Sequence, residues 1–211
     1  MRVALFGATG FIGSRVLEEL IAAGHEVTVL ARSPDRLGVR PHLTVKSGDV
    51  GDPTAVVSTV TGADAVISCL GTPRGEKPPV DFLANAMARI LKAMEEQGVE
   101  RLIAISGAGI TLPGERKPFP HNAISRLVGI LAADAVRAKA NEFKVLQESQ
   151  GVGWTAVRPT RVVEGPSGDS PRIATEASGI GMQVTRGDLA RFIVGQLTDR
   201  TYIGRAPFIS S

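Results

Sequence analysis

The sequence has few of the residues that hold metal ions or form disulfides. Its 211 residues include one cysteine and three histidines. A single cysteine cannot form a disulfide within the chain, and the histidines are too scattered to predict a metal site. These shortages exclude a disulfide-stabilised scaffold and argue against metal-dependent chemistry.

Long apolar runs and a strong excess of one charge are also missing. The apolar runs are far shorter than the roughly 20 residues of a membrane-spanning helix, and the N-terminus lacks the pattern of a secretory signal. The net charge is only +3, with basic residues scattered among acidic ones, so nucleic acid is not a predicted partner. We therefore expect a cytoplasmic protein that binds neither membranes nor nucleic acid.

What the sequence does have is enough apolar material for one sizeable domain. Hydrophobic residues make up 43% of the chain, and the length suits a single domain over residues 1–211. Strand-like and helix-like runs alternate along it. The predicted strands are 3–6, 26–31, 43–47, 65–69, 101–106 and 154–157. The predicted helices are 11–23, a short one opening at Pro53, 79–97, 135–149 and a last one capped or opened by Asp188.

Three glycines follow the first predicted strand at the spacing Gly-x-x-Gly-x-x-Gly. In dinucleotide-binding proteins the first glycine makes the turn, the second lets the backbone approach the pyrophosphate, and the third lets the helix pack on the sheet. N–H groups at the start of the helix then face the anion. A strand before the motif and a helix after it favour a dinucleotide site over an ordinary turn. The expected contacts are Gly7, Thr9, Gly10, Phe11, Ile12 and Gly13.

The alternation of strands and helices predicts a parallel sheet with helices on both faces. Right-handed crossovers bring the loops after the strands to one edge, where ligands bind. The predicted class is therefore α/β, a Rossmann-type doubly wound parallel sheet with a small C-terminal region on the substrate side. The irregular segments 107–122 and 165–181 both follow strands, and each is expected to be either a wall of the substrate site or a plain surface loop.

The residues after the second strand bear on the choice between NAD and NADP. An NAD-binding protein usually has an acidic residue there, about 20 residues beyond the glycines, to bind the adenosine ribose. This chain has Arg32, Ser33 and Arg36, and guanidinium and hydroxyl groups suit a 2′-phosphate. The pattern favours NADP. The alternatives are a solvated basic loop and a role for Asp35 as partner of an arginine or of the ribose.

The ends of two further strands are expected to contact the adenosine half of the cofactor. Asp49 and Val50 follow the third strand, where a carboxylate can accept a hydrogen bond from the adenine amino group. A helix cap or turn former is the alternative role for Asp49. Cys69 is interpreted as a buried small residue. The run expected along the adenine ribose and pyrophosphate is Cys69, Leu70, Gly71 and Thr72, at the end of the fourth strand.

Together these motifs resemble a known family. The glycine motif, the strand ending at Arg32, the run 48–50 and Arg158-Pro159 resemble the atypical short-chain dehydrogenases/reductases. Within them the chain is similar to the small NAD(P)H-binding group that includes biliverdin-IXβ reductase/flavin reductase and NmrA-like proteins. The resemblance covers nearly the whole chain, and its cofactor motifs are more specific than its substrate motifs. It also includes the runs 70–72, 93–99, 144–149 and 187–190.

The family's proton-relay pair is incomplete in this chain. The family pattern is Tyr-x-x-x-Lys, and the chain has Ala135 and Lys139 near the expected place. The only tyrosine is Tyr202, near the C-terminus. The resemblance implies that Lys139 holds the nicotinamide ribose, with a surface pair to Glu142 as the alternative. The missing phenol argues against tyrosine-driven alcohol oxidation.

The remaining candidates near the nicotinamide come from the resemblance and the strand order. Ser106 ends the fifth strand, where such families place a serine or threonine that hydrogen-bonds the acceptor or the carboxamide. Its alternative is to satisfy the loop backbone. His121 is either a solvated loop residue or a proton donor, since its ordinary pKa suits that role. Pro159, Thr160 and Arg161 follow the sixth strand: Thr160 and Arg161 are expected near the nicotinamide, and Pro159 is expected to contact the cofactor.

The leading hypothesis is an NADPH-dependent reductase of a flavin, a quinone or another conjugated small-molecule acceptor, with FMN as one candidate substrate. Reductases that resemble biliverdin-IXβ reductase work without the tyrosine, because such acceptors take their proton from solvent. The second hypothesis is an NmrA-like sensor that binds NAD(P) and then a protein partner, without turnover. A sugar-nucleotide epimerase or dehydratase is a third, weakened by the missing tyrosine and the short substrate region.

Overall fold

A parallel sheet forms the centre of the molecule. The computed structural model describes residues 1–72, 79–112, 115, 119, 123, 132–168 and 171–211. The strands of the first half are β1 Arg2–Phe6, β2 Glu26–Ala31, β3 Leu43–Ser47, β4 Ala65–Ser68 and β5 Arg101–Ile105. Those of the second half are β6 Gly153–Pro159, β7 Arg161–Val163, β8 Arg172–Ala174, β9 Gln183–Thr185 and β10 Phe208–Ser210.

The strand order is β3-β2-β1-β4-β5-β6-β10-β8, and a separate short ladder joins β7 to β9. All neighbours in the main sheet are parallel except β10 and β8. β2 and β3 lie on one side of β1, and β4 and the later strands of the main sheet lie on the other. The order of the strands therefore switches between β1 and β4. Ligands bind at such a switch point in open α/β sheets. The predicted doubly wound α/β fold is confirmed.

Helices cover both faces of the sheet. Among the described residues they are α1 Phe11–Ala22, α2 Pro53–Val60, α3 Phe82–Gln97, α4 Ala133–Glu148 and α5 Arg186–Gly195, and a 3-10 turn lies at Pro34–Arg36. Alternate residues of β1 point to opposite faces: Val3 and Leu5 pack with α1 and α5, whereas Ala4 and Phe6 pack with α2, α3 and α4. Burial on both faces explains why the central strands are apolar without interruption. Within the described ranges, no helix is long and apolar enough to cross a bilayer.

The observed elements differ from the prediction at several points, among them the short strands β7 to β10. The segment 165–181, predicted to be irregular, contains β8, which pairs antiparallel with β10. The last helix begins at Arg186, and its cap is Thr185 instead of Asp188: the Thr185 hydroxyl accepts a hydrogen bond from the Asp188 N–H at 3.0 Å. The helix predicted over 79–97 begins at Phe82. Strands of three residues are too short for hydrophobic periodicity to reveal, because their pairing depends on tertiary contacts.

The turn after β1 leaves no room for a side chain at Gly13. A Cβ atom there would lie 2.1 Å from the Gly7 carbonyl oxygen. We expect Gly13→Ala to lower the free energy of unfolding by about 1–3 kcal/mol, because the obstacle is backbone that must shift. Urea unfolding checks this.

Gly195→Ala is the matched control, since a Cβ at Gly195 meets nothing within 4 Å in α5. This variant should be neutral or more stable by about 0.4–1 kcal/mol. Equal losses in the two variants would contradict the close-packing interpretation of Gly13.

Candidate functional site

A cleft of about 820 Å³ opens at the carboxyl ends of β1, β2, β4 and β5, at the switch point. Its volume is within the range of small-molecule and cofactor sites. Most of the residues predicted to bind cofactor line it. They are Gly7, Thr9, Gly10, Phe11, Ile12, Arg32, Ser33, Arg36, Asp49, Val50, Leu70, Gly71, Thr72, Ser106 and Lys139.

The glycine loop has the geometry of an anion site. Gly7 has φ +82°, and a Cβ there would lie 2.7 Å from the Cys69 carbonyl oxygen, so only glycine fits. Gly10 is the N-cap of α1 and provides no side chain to cap the first turn. The N–H groups of that turn, with the positive end of the helix dipole, suit a phosphate. Gly13 does not line the cleft, but its missing side chain lets α1 approach the loop.

The mouth of the cleft near β2 is basic, with one carboxylate. Arg32 Nε lies 3.9 Å from Asp49 Oδ2, and both side chains are about half exposed. Asp49 Oδ1 accepts a hydrogen bond from the Gly51 N–H at 2.7 Å, so this carboxylate also shapes its own turn. Arg36, at the end of the 3-10 turn, lines the same side, whereas Asp35 does not. The arrangement places the side chains of Arg32 and Arg36, both with guanidinium groups, in the cleft lining after β2.

Cys69 follows β4 and lines the cleft. Burial raises the pKa of its thiol to about 12, although the positive charge of Lys139 opposes that shift. The thiol is therefore protonated at neutral pH and is not a nucleophile there. Cys69 packs against the hydrophobic core, as predicted for a small apolar residue, but it is only partly buried because it also lines the cleft.

Ser106 follows β5 and lines the cleft. Its Oγ atom is buried and has no hydrogen-bond partner among the described residues, while its backbone N–H donates to the Val157 carbonyl at 2.8 Å. The side chain therefore does not satisfy the loop backbone, which was the alternative role predicted for it. An unpaired hydroxyl in a cleft is available to a bound group.

Lys139 reaches the cleft from α4 and forms a buried pair with Glu142. The Nζ–Oε2 distance is 2.7 Å, and the two side chains are 16% and 5% exposed. The alternative prediction of a surface pair is therefore wrong: the two residues do pair, but on the inner face of the helix. Burial raises the pKa of the Glu142 carboxyl, and the charge of Lys139 opposes this.

Several predicted residues lie elsewhere. Pro159 and Thr160 do not line the cleft; the Pro159 carbonyl accepts from the Ala108 N–H, and the Thr160 N–H donates to the Ile209 carbonyl. Tyr202 packs edge-on against Phe192, and its carbonyl accepts from Thr155 in the first half of β6, away from the carboxyl ends of the strands. His121 lies outside the described residues. Gly48 and Cys69, which begin the predicted runs 48–50 and 69–72, also line the cleft. The cleft residues that the sequence did not indicate are Phe6, Leu30, Ala31, Phe82 and Ile105.

A buried arginine attaches the segment after β5 to the sheet. Arg158 is 1% exposed, donates to both carboxylate oxygens of Glu115 at 2.8 and 2.9 Å, and donates to the Ile110 carbonyl at 2.6 Å. Its guanidinium lies 3.9 Å from the centroid of the Phe208 ring. Arg158 therefore ties the described residues Ile110 and Glu115 to β6. Phe208 also joins the segment after β5 to the segment 165–181, through a cluster with Ala108, Ala177 and Ile180.

Comparison with known proteins identifies the family. Residues 7–200 match the NAD(P)H-binding family, and the chain belongs to it. An uncharacterized protein of Mycobacterium tuberculosis is 36% identical over 107 residues, which are 50% of this chain and 12% of that protein. The 3-beta-hydroxysteroid dehydrogenase of Mycolicibacterium neoaurum is 28% identical over 54% of this chain and 34% of its own length. The chain thus corresponds to a small part of these relatives.

Solved structures share the fold over the whole chain. The oxidoreductase ylbE of Lactococcus lactis has a TM-score of 0.82 at 19% identity, covering 100% of this chain and 91% of that one. A short-chain dehydrogenase/reductase of Veillonella parvula, solved in complex with NADP, has a TM-score of 0.81 at 22% identity, covering 100% and 94%. ChuY, an anaerobillin reductase of Escherichia coli O157:H7, has a TM-score of 0.80 at 21% identity, covering 100% and 97%.

The basic mouth of the cleft predicts a preference for the phosphorylated cofactor. Arg32→Ala should weaken NADPH binding about ten- to hundred-fold and NADH binding much less, because a charge-assisted contact to phosphate contributes about 1.5–3 kcal/mol. The difference should shrink at high salt, since Arg32 is exposed. Fluorescence titration with both cofactors measures the effect.

Lys92→Ala is the control for the lost charge, because Lys92 lies on α3 outside the cleft lining and is 77% exposed. It should leave both dissociation constants unchanged. Equal weakening of NADPH and NADH in Arg32→Ala would mean that Arg32 does not discriminate between them.

Proposed function

We propose that the protein is an NADPH-dependent reductase of a conjugated small-molecule acceptor, such as a flavin or a quinone, that works without a tyrosine proton relay. The observation that carries this proposal is the cleft itself. It has the glycine loop and helix N-terminus of a dinucleotide site, and the buried Ser106 hydroxyl at its β5 end. The chain's single tyrosine does not line it.

The glycine loop between β1 and α1 has the features that a dinucleotide site requires. A Cβ at Gly7 or Gly13 would collide with backbone, and the first turn of α1 has no side-chain cap. The pyrophosphate would be held at this helix N-terminus. Arg32 and Arg36 support NADP over NAD, because their guanidinium groups suit a 2′-phosphate.

The chemistry divides between cofactor and protein. When bound, the reduced nicotinamide supplies the hydride. Ser106 would donate a hydrogen bond to the acceptor or to the carboxamide and so orient it. The acceptor then takes up one proton, which we assign to solvent, because the Cys69 thiol has a pKa of about 12 and Tyr202 lies away from the cleft. The partner of the protein in this proposal is the small acceptor alone.

A sensor without turnover is the second candidate, favoured by the same missing tyrosine. Such a protein would bind the dinucleotide in this cleft and pass the signal to a protein partner. The experiment that separates the candidates follows NADPH oxidation with FMN, a quinone and a linear tetrapyrrole, beside a binding titration. Saturable binding with turnover on one acceptor supports the reductase. Saturable binding with no turnover on any of them supports the sensor.

Ser106→Ala should lower turnover about two- to tenfold and leave a working enzyme, because one neutral hydrogen bond contributes about 0.5–1.5 kcal/mol. Ser68→Ala is the matched control. Its Oγ is also buried without a partner among the described residues, yet Ser68 does not line the cleft. This variant should keep full turnover, and equal losses in both would contradict the role of Ser106.

The proton source has its own test. If solvent protonates the acceptor, His121→Ala keeps the rate and the pH profile of the unmodified enzyme. If His121 is the acid, the rate should fall about 10²–10⁴-fold and the limb of the profile near its pKa should disappear. We expect the first result.

A further inference from the structure

The ammonium group of Lys139 has no donor left for a ligand. Its Nζ atom lies 2.7 Å from the carbonyl oxygen of Leu70, 2.7 Å from that of Ile105 and 2.7 Å from Glu142 Oε2. An ammonium has three N–H donors and no acceptor. A hydrogen bond to a ribose hydroxyl would therefore require one of these three contacts to break or to be shared.

The two carbonyls belong to neighbouring strands at the point where their pairing stops. The β4–β5 ladder ends with the pair Ser68 and Ala104. Beyond this pair, Leu70 follows β4 and Ile105 is the last residue of β5. The Lys139 ammonium donates a hydrogen bond to the backbone carbonyl of each. The lysine thus continues the connection between the strands past the last backbone pair. It does so where Leu70 and Ile105 themselves line the cleft.

Glu142 holds the ammonium from the side away from the strands. It lies one helical turn beyond Lys139, its side chain is 5% exposed, and its second oxygen, Oε1, is buried with no hydrogen-bond partner among the described residues. A buried ion pair of this kind is often no more stable than an apolar pair of similar volume. The pair is therefore better explained by the geometry that it imposes than by stability.

We propose that Lys139 and Glu142 are a positioning pair for the cofactor cleft. Lys139 fixes the ends of β4 and β5, and Glu142 fixes Lys139, so that the lysine acts on the dinucleotide through the backbone of Leu70 and Ile105 without touching the nicotinamide ribose. The inference rests on the proposed location of the dinucleotide in this cleft. It differs from the ribose-binding role that the family resemblance implies.

A half-cofactor distinguishes the two roles. Adenosine 2′,5′-bisphosphate lacks the nicotinamide and its ribose but occupies the part of the cleft beside Leu70. Lys139→Met should weaken NADPH and the bisphosphate alike, each about tenfold, if the lysine positions the strand ends. A loss for NADPH with an unchanged bisphosphate would overturn the proposal in favour of direct ribose contact. Unchanged binding of both ligands would overturn it as well.

A second variant guards against misfolding, because Lys139→Met leaves a buried carboxylate unpaired. The double variant Lys139→Met/Glu142→Leu should unfold at a urea midpoint equal to or above that of the unmodified protein and still bind both ligands about tenfold more weakly. Normal affinity in this stable protein would refute the positioning role. Glu142→Gln, which keeps an oxygen acceptor but removes the charge, should weaken both ligands measurably but less than Lys139→Met does, and unchanged binding of both ligands would contradict this role for Glu142.

The surface pair on the same helix is the matched control. Lys144 and Glu148 lie 3.9 Å apart with 76% and 66% of their side chains exposed. Lys144→Met/Glu148→Leu should change neither affinity, and a change as large as that in the buried double variant would overturn the assignment. The readout is binding alone, so failure of the proposed reductase function would appear separately, as NADPH that binds the unmodified protein without turnover.

Discussion

The contact between the first turn of α1 and the loop after β1 is the constraint on which the cleft depends. A side chain at Gly13 would have to occupy the space of the Gly7 carbonyl, 2.1 Å away, and one at Gly7 that of the Cys69 carbonyl. Backbone therefore meets backbone at both places, which brings β1, α1 and the end of β4 together. This close approach aims the uncapped helix N-terminus into the cleft, whose lining also includes the basic residues after β2.

The parallel strands and the residues at their carboxyl ends could be predicted, because short stretches of sequence are enough to indicate them. Apolar runs bounded by glycine revealed the six long parallel strands, and the topology of parallel strands implied that Arg32, Asp49, Leu70 and Ser106 would meet at one edge. The remainder depends on contacts between distant segments. Three-residue strands such as β8 have no periodicity, and Phe82 reaches the cleft only because α3 begins beside the end of β4. Whether Lys139 and Glu142 face solvent or the sheet was likewise open until the packing of α4 was known.

Charge is distributed along the cleft according to exposure. On the β2 side, the side chains of Arg32 and Asp49 are about half exposed and 3.9 Å apart, so water screens their attraction. At the inner end, Lys139 and Glu142 are nearly buried, and neither can turn away without leaving a charge in a medium of low polarity. The same cleft therefore has a solvent-screened charge pair on one side and a buried, rigidly held pair at its inner end.

One buried side chain, Arg158 of β6, connects two stretches that lie far apart in the sequence. Its guanidinium is 1% exposed and binds Glu115 and the carbonyl of Ile110 after β5. It also lies over the ring of Phe208 in β10, which packs with Ala177 and Ile180. Separating a buried charge from its partner costs about 3–5 kcal/mol. A substitution at Arg158 would therefore loosen both stretches at once, although neither is next to it in the sequence.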